Sequence, residues 1–302
     1  MTQTTLINQY NNPLEKELLN LFHQSNLPLH FNKTGYKDFN NYQRISLIVL
    51  FRRSKKGLRD FVKELQESRW ISWLGLTRIP SKSTLHNWIT LFQMKTIRQL
   101  FNQLKPKYSK LTAIDGTGFD SFHRSRYYEK RVGFIKTPYS KVDLFVDVES
   151  KKIIDFSLVT KHQHDMIAAK QFIKRNSLRG TKILCDGGYD CEDFHRQIFD
   201  KGGKLYAPVR KSSRKYPKGW FRRQCVELPN FMGQRSIIEC INAVLKRRFI
   251  TCLKSKKSYM KKREFGWHMI VYNLTKKIES QENNLMIEQK VLQYFFISIW
   301  IY

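Results

Sequence analysis

Acidic residues are scarce in this chain. Over 302 residues, 25 Asp plus Glu stand against 55 Lys plus Arg, a formal net charge of +30. Such an excess excludes business confined to neutral small molecules and directs attention to a polyanion. Nucleic acid is the expected one rather than an anionic membrane surface, because no basic amphipathic anchor stands out. Paired cysteine motifs are also missing: Cys185, Cys191, Cys225, Cys240 and Cys252 form no CxxC. Neither a zinc knuckle nor a disulfide framework is indicated, and a reducing cytoplasm fits. The opening MTQTTLINQYNNPLEKE lacks the charged and apolar regions of a signal peptide, so export is not expected. Long apolar runs are nearly absent. The one at residues 291–302, VLQYFFISIWIY, is shorter than the roughly 20 residues a bilayer span needs, and no membrane partner is expected. No internal repeat is visible. What remains, 41% apolar with 14% aromatic, suffices for the core of one large domain or two ordinary ones.

Residues 1–105 read as a helical domain, expected to bind DNA. Residues 42–50 and 58–65 are periodic and apolar on one side, with Arg52, Arg53, Lys55 and Lys56 at the joint between them. In GLTRIPSKSTLHNWITLFQ, Ser81 or Ser83 can cap a helix that turns Leu85, Trp88, Ile89 and Phe92 inward and Lys82, His86 and Asn87 outward. A helix-turn-helix presenting a reading helix, and plain packing of two helices, both account for that pattern.

Past Lys105-Pro106-Lys107 the period changes to that of strands. KLTAIDGTGF (110–119) is a strand ended by glycine, and 141–149 and 151–159 form a hairpin around Glu149-Ser150-Lys151-Lys152. A helix at 164–176, a strand at 181–190, a helix at 192–200 and a strand at 204–210 follow. This order predicts a mixed sheet with helices on its faces over residues 106–282. A basic insertion occupies about 211–230. The last helix is expected at 262–278, with a tail of unassigned role at 283–302 that fits neither domain, as read-through into adjoining DNA would. Seven cations from Arg210 to Arg223 and nine from Lys246 to Arg263 occur with no acid among them. These two runs flank one segment and suit contact with DNA phosphates, with Arg210, Lys211 and Arg247 among the candidates.

That segment, FMGQRSIIECINAVLKRRF (231–249), has the three- and four-residue apolar steps of a helix with one buried side. At about 100° per residue, Arg235, Glu239, Asn242 and Lys246 share the opposite stripe, which sets a lone acid between cations. Asp115 and Asp186 end two of the expected strands, where ligands of open sheets collect. The glycines after them, Gly116, Gly187 and Gly188, leave room for substrate backbone. Either Asp-Gly alone would be an ordinary turn. With Glu239 brought alongside, three carboxylates would repel one another unless cations share the site. Oxygen-only ligands point to Mg²⁺, with Mn²⁺ as a substitute, and two such ions suit in-line phosphodiester displacement. In KHQHD, His162, His164 and Asp165 precede a helix, where capping or a contact near the crevice explains them as well as metal does.

The IDGT around Asp115, the CDGGYD around Asp186, and Arg235, Glu239 and Lys246 with three and then six residues between them resemble the acidic motifs of insertion-sequence DDE transposases. The resemblance is to the group with the Tyr-Arg-Glu-Lys signature, and it covers about residues 40–280. Met232 stands where that signature has its tyrosine, with Phe231 beside it, so the tyrosine's supporting role has no bearer here. The resemblance implies an RNase H-like α/β domain behind an amino-terminal helical domain that recognises terminal inverted repeats. It implies that Asp115, Asp186 and Glu239 hold two Mg²⁺, and that Arg235 and Lys246 touch phosphates near the cut. It implies cleavage of double-stranded DNA at the element's ends, joining of the 3′-hydroxyls to target DNA, and a homodimer in the synaptic complex of a cytoplasmic, DNA-associated enzyme. The alternatives are a domesticated, catalytically inactive DNA-binding relative and a metal-dependent nuclease of the same fold that cuts without joining.

Overall fold

The computed structural model describes residues 12–31, 34, 38–120, 127, 131, 140–161, 163–210 and 217–300, with side chains to residue 284 and at 286. Lys211 and His162 lie outside the described residues. The chain divides into two compact units, Met1–Leu104 with Met269–Tyr302, and Lys105–His268.

The first unit is helical: α1 (Pro13–Gln24), α2 (Asn41–Ser54), α3 (Leu58–Gln66), α4 (Trp70–Trp73), α5 (Lys82–Leu91) and α6 (Met94–Asn102). Helix α2 is its centre, with Ile45, Leu47, Ile48, Val49, Leu50 and Phe51 all buried. Apolar residues all round are what a helix packed on several sides requires. A capping box starts it, Asn40 Oδ1 accepting from the Gln43 amide at 2.8 Å and Gln43 Oε1 from the Asn40 amide at 2.9 Å. Ser81 caps α5 through the Thr84 amide at 3.1 Å. Leu85, Trp88, Ile89 and Phe92 are buried, and Lys82, His86 and Asn87 are exposed.

The second unit is built on a five-stranded sheet of β1 (Leu111–Phe119), β2 (Ser140–Asp147), β3 (Ile153–Val159), β4 (Lys182–Leu184) and β5 (Lys204–Tyr206), in the order β3-β2-β1-β4-β5. The β1–β2 and β2–β3 pairs are antiparallel, and β1–β4 and β4–β5 parallel. Helices α7 (Asp165–Arg175), between β3 and β4, and α8 (Glu192–Phe199), between β4 and β5, make the crossovers, and a short α9 (Trp220–Arg223) follows β5. This is the expected mixed sheet flanked by helices. The core over one face joins Ile114, Phe145 and Ile183 to Ala168, Ala169 and Phe172 of α7 and to Phe194 and Ile198 of α8. On the other face Phe265 packs edge-on against Phe119 and Phe156, at centroid distances of 5.6 and 5.7 Å.

The structure alters three expectations of local order. β4 and β5 stop at Leu184 and Tyr206, well short of residues 190 and 210, because Asp186 starts a tight turn and Pro208 interrupts the other run. The segment expected as one helix over 231–249 is a 3₁₀ turn (Asn230–Arg235), helix α10 (Ser236–Val244) and a π turn (Leu245–Phe249). The last helix, α11, runs Ser258–Trp300 instead of 262–278, since nothing between them breaks it: no proline or glycine follows Gly266. Among the described residues no helix is long and apolar enough to cross a membrane.

Candidate active site

β1 outruns its parallel neighbour. Pairing with β4 ends at Ala113–Leu184, whereas β2 accompanies β1 as far as Phe119. A crevice opens where β4 leaves off, and Asp115 and Asp186 occupy matching positions just beyond that last pair. Strand alternation puts Asp115, Thr117 and Phe119 on one face of β1. Helix α10 packs against β1 and carries Glu239.

Asp115 registers its neighbours. Burial pushes its carboxyl above the ordinary range; the Gly116 amide and the Arg235 charge oppose this, and the charges of Asp186 and Glu239 add to it. The three expected acids therefore share one electrostatic site, together with the expected Arg235. Asp186 and Glu239 each have a present partner. Asp186 Oδ1 accepts from the Gly188 amide at 2.7 Å and caps the turn Gly187–Tyr189. Glu239 Oε1 accepts from Arg235 Nη2 at 2.7 Å, one turn back on an exposed surface. Among the described residues no three His, Cys, Asp or Glu side chains stand close enough together to hold a metal ion as they are.

Lys246 lies in the π turn after α10, its Nζ donating to Thr117 Oγ1 at 2.7 Å and standing 5.5 Å from the Phe119 ring centroid. It thus reaches β1 just beyond Asp115. Arg247 beside it is exposed. Asn242, expected on the outer stripe, is buried. Arg210, expected to face DNA, has its guanidinium on the chain's own backbone, Nε donating to Gly187 O at 2.6 Å and Nη2 to Gly188 O.

Two of the glycines lie close against the chain's own carboxylates. A Cβ on Gly116 would stand 3.1 Å from Asp143 Oδ1 and 3.4 Å from Asp165 Oδ1, and one on Gly188 2.8 Å from Asp186 Oδ1. A family model described as a transposase DDE domain matches residues 108–274, more than half of the chain.

The chain belongs to the DDE transposase family. A comparison with curated proteins finds no match. Among solved structures it is similar to a piggyBac transposase synaptic complex with hairpin DNA, at 12% identity over 91% of this chain and 74% of that one, TM-score 0.48. A second similarity is to a pre-cleavage Mos1 transpososome, at 10% identity over 82% of this chain and 81% of that one, TM-score 0.24.

Two clusters in this DDE transposase domain escaped the sequence reading. Behind Gly116, on the α7 face of the sheet, Lys141 Nζ pairs with Asp165, stands 3.3 Å from Asp143 Oδ1 and donates to Gln163 O at 2.7 Å. Asp143 is fully buried, neither of its carboxylate oxygens has a hydrogen-bond partner, and burial pushes its carboxyl up to about 6 against the pull of Lys141. The available signal was Lys141 and Asp143 at alternate positions in an otherwise apolar strand. His164, whose Nδ1 accepts from the Met166 amide at 3.3 Å, caps α7. The second cluster joins the turn after Asp186 to the chain beyond β5. Buried Asp190 accepts from Arg222 Nε at 2.8 Å and Nη2 at 2.5 Å, and from the Arg210 amide at 2.9 Å. Burial alone would raise this carboxyl, yet the Arg222 fork, the Arg210 amide and the Arg222 charge outweigh it and hold it below its usual value.

Proposed function

We propose that the protein is a DNA transposase that cleaves phosphodiester bonds at the ends of its own insertion sequence and joins the freed 3′-hydroxyls to target DNA. Asp115, Asp186 and Glu239 are its catalytic acids. The observation that carries this reading is the placing of Asp115 and Asp186 just past the last β1–β4 pair, with the helix that carries Glu239 packed on β1, inside the segment matched by the family.

The donor set fits hard divalent cations. It offers carboxylate oxygens only, and the burial and like charges that raise the Asp115 carboxyl are what a bound cation would offset. When bound, two Mg²⁺, or Mn²⁺, would activate the attacking oxygen and stabilise the leaving one. Asp115 supplies a fixed carboxylate from a strand paired on its β2 side along its length, and Asp186 a second from a capped turn. Glu239 is the movable member, because it must exchange its bond to Arg235 for the crevice. Freed of Glu239, Arg235 can take a phosphate oxygen with its guanidinium fork. Lys246 offers a second positive charge beside β1, and Arg247 and the basic insertion, Lys211 included, extend the cationic surface for double-stranded DNA. Joining two ends at once calls for two copies of the chain.

A labelled DNA end incubated with protein and Mg²⁺ tests this. Asp115→Asn, Asp186→Asn and Glu239→Gln should each slow cleavage by on the order of 10³-fold or more, the scale of losing one group that acts in the transition state. Binding to the same DNA should stay near that of the parent. Cutting retained by any one variant removes that residue from the site. Cutting without joined product in the parent chain favours the nuclease.

A further inference from the structure

We propose that Arg210 is a positioning residue for Asp186, clamping the turn that carries it and anchoring the basic insertion to that turn, and is not a phosphate contact. The proposal rests on the reading of Asp186 as a catalytic acid.

Asp186 depends on its turn. Its carboxylate caps Gly187–Tyr189 through the Gly188 amide, and the Tyr189 amide returns to Asp186 O at 3.2 Å. β4 has ended at Leu184, so no sheet pairing holds this stretch. Arg210 replaces the missing ladder, since its two donors take the successive carbonyls of Gly187 and Gly188. The approach is close enough that a Cβ on Gly187 would stand 3.2 Å from Pro208 O. The arginine is fixed in turn, its own amide bonded to Asp190. Arg222 closes on the same carboxylate from the middle of the insertion, and Glu192 accepts from the Phe221 and Arg222 amides, both at 3.1 Å. Gly219, at φ +103°, passes so near Glu192 that any side chain there would collide with its carboxylate. The basic insertion is therefore fastened to the loop after Asp186 at its start and again at its middle. Two of the five guanidinium donors are committed to these carbonyls, so the turn fixes the plane of the side chain and leaves a phosphate only the remaining N–H groups.

Arg210→Ala and Arg210→Lys decide the matter. With end DNA and Mg²⁺, both should lower the turnover of cleavage by about 10- to 100-fold, the usual cost of removing a partner that orients a ligand. Affinity for the DNA should stay within about twofold and its salt slope should not change, because no phosphate contact is lost. Lysine keeps the charge but not the fork, so it should not rescue. Independently of activity, amide exchange across residues 186–190 should quicken in both variants. A variant that loses affinity with a slope smaller by about one, or that is rescued by lysine, makes Arg210 a phosphate contact and overturns the proposal. Unchanged exchange also overturns it. If Arg210→Ala does not fold, Arg210→Lys alone carries the same outcomes. A parent chain that cuts no DNA end sinks the transposase reading instead, and the exchange measurement still judges the clamp.

Discussion

At the scale of single residues, the buried carboxyl of Asp143 makes stability depend on pH. Its native value of about 6 lies above the ordinary 3.8, so between about pH 4 and pH 6 the folded chain binds this proton more tightly than the unfolded chain. Stability contributed by the protonated acid is thus present at low pH and lost as pH rises through that window. Asp143→Asn removes the dependence. The parent's stability relative to that variant, from urea midpoints, should be higher at about pH 4 than at about pH 7. A difference that does not change with pH would mean that Lys141 keeps Asp143 ionised throughout. The sequence drew attention to Asp115, Asp186 and Glu239 because two precede glycine within or after apolar runs and the third sits on a helix beside cations. It could not disclose what Asp143 does, since burial of an acid in a strand depends on Gly116 of the paired strand, which leaves the space that Asp143 and Asp165 use.

At the scale of elements, alternation and the 3.6-residue period recovered β1, β2, β3, α7 and α8 to within a residue or two. They failed where a side chain or an extra residue overrides periodicity. Asp186 ends β4 by capping its own turn, which an apolar run ending in Asp-Gly-Gly does not distinguish from a longer strand. The π turn at Leu245–Phe249 departs from the helical register, so Lys246 no longer follows the stripe of Glu239 and reaches Thr117 instead. The junction of α11 with the sheet is made by Phe265, which is fully buried between Phe119 and Phe156. Phe265→Ala should cost about 3–5 kcal/mol of stability, visible as a lower urea midpoint at unchanged slope. A loss under about 1 kcal/mol would mean that the neighbouring rings close over the gap.

At the scale of the whole molecule, a net charge of +30 governs DNA affinity more than any one contact does. Binding should weaken steeply with salt, log K falling by about 0.9 for each phosphate neutralised. Lys246→Ala should reduce that slope by about one, so it lowers affinity more at low salt than at high salt. An unchanged slope would assign Lys246 to its bond with Thr117 alone. Composition is what points to a polyanion partner. Which cations meet phosphate and which fasten the chain to itself was not legible, because Arg210 and Arg222 differ from their neighbours only in what they fold against.

Fastening at Arg210 and again at Arg222 leads us to expect that a stretch between them is an interchangeable part. Residues 211–216 should be open to exchange for another basic sequence, or to lengthening, while Arg210, Pro217, Lys218, Gly219 and Arg222 remain. The hybrid should melt at the parent's temperature and differ only in its grip on DNA; a lowered melting temperature would mean that the traded stretch is itself part of the frame. A lineage could thereby change the surface it offers to a polyanion without rebuilding the crevice beside Asp115 and Asp186.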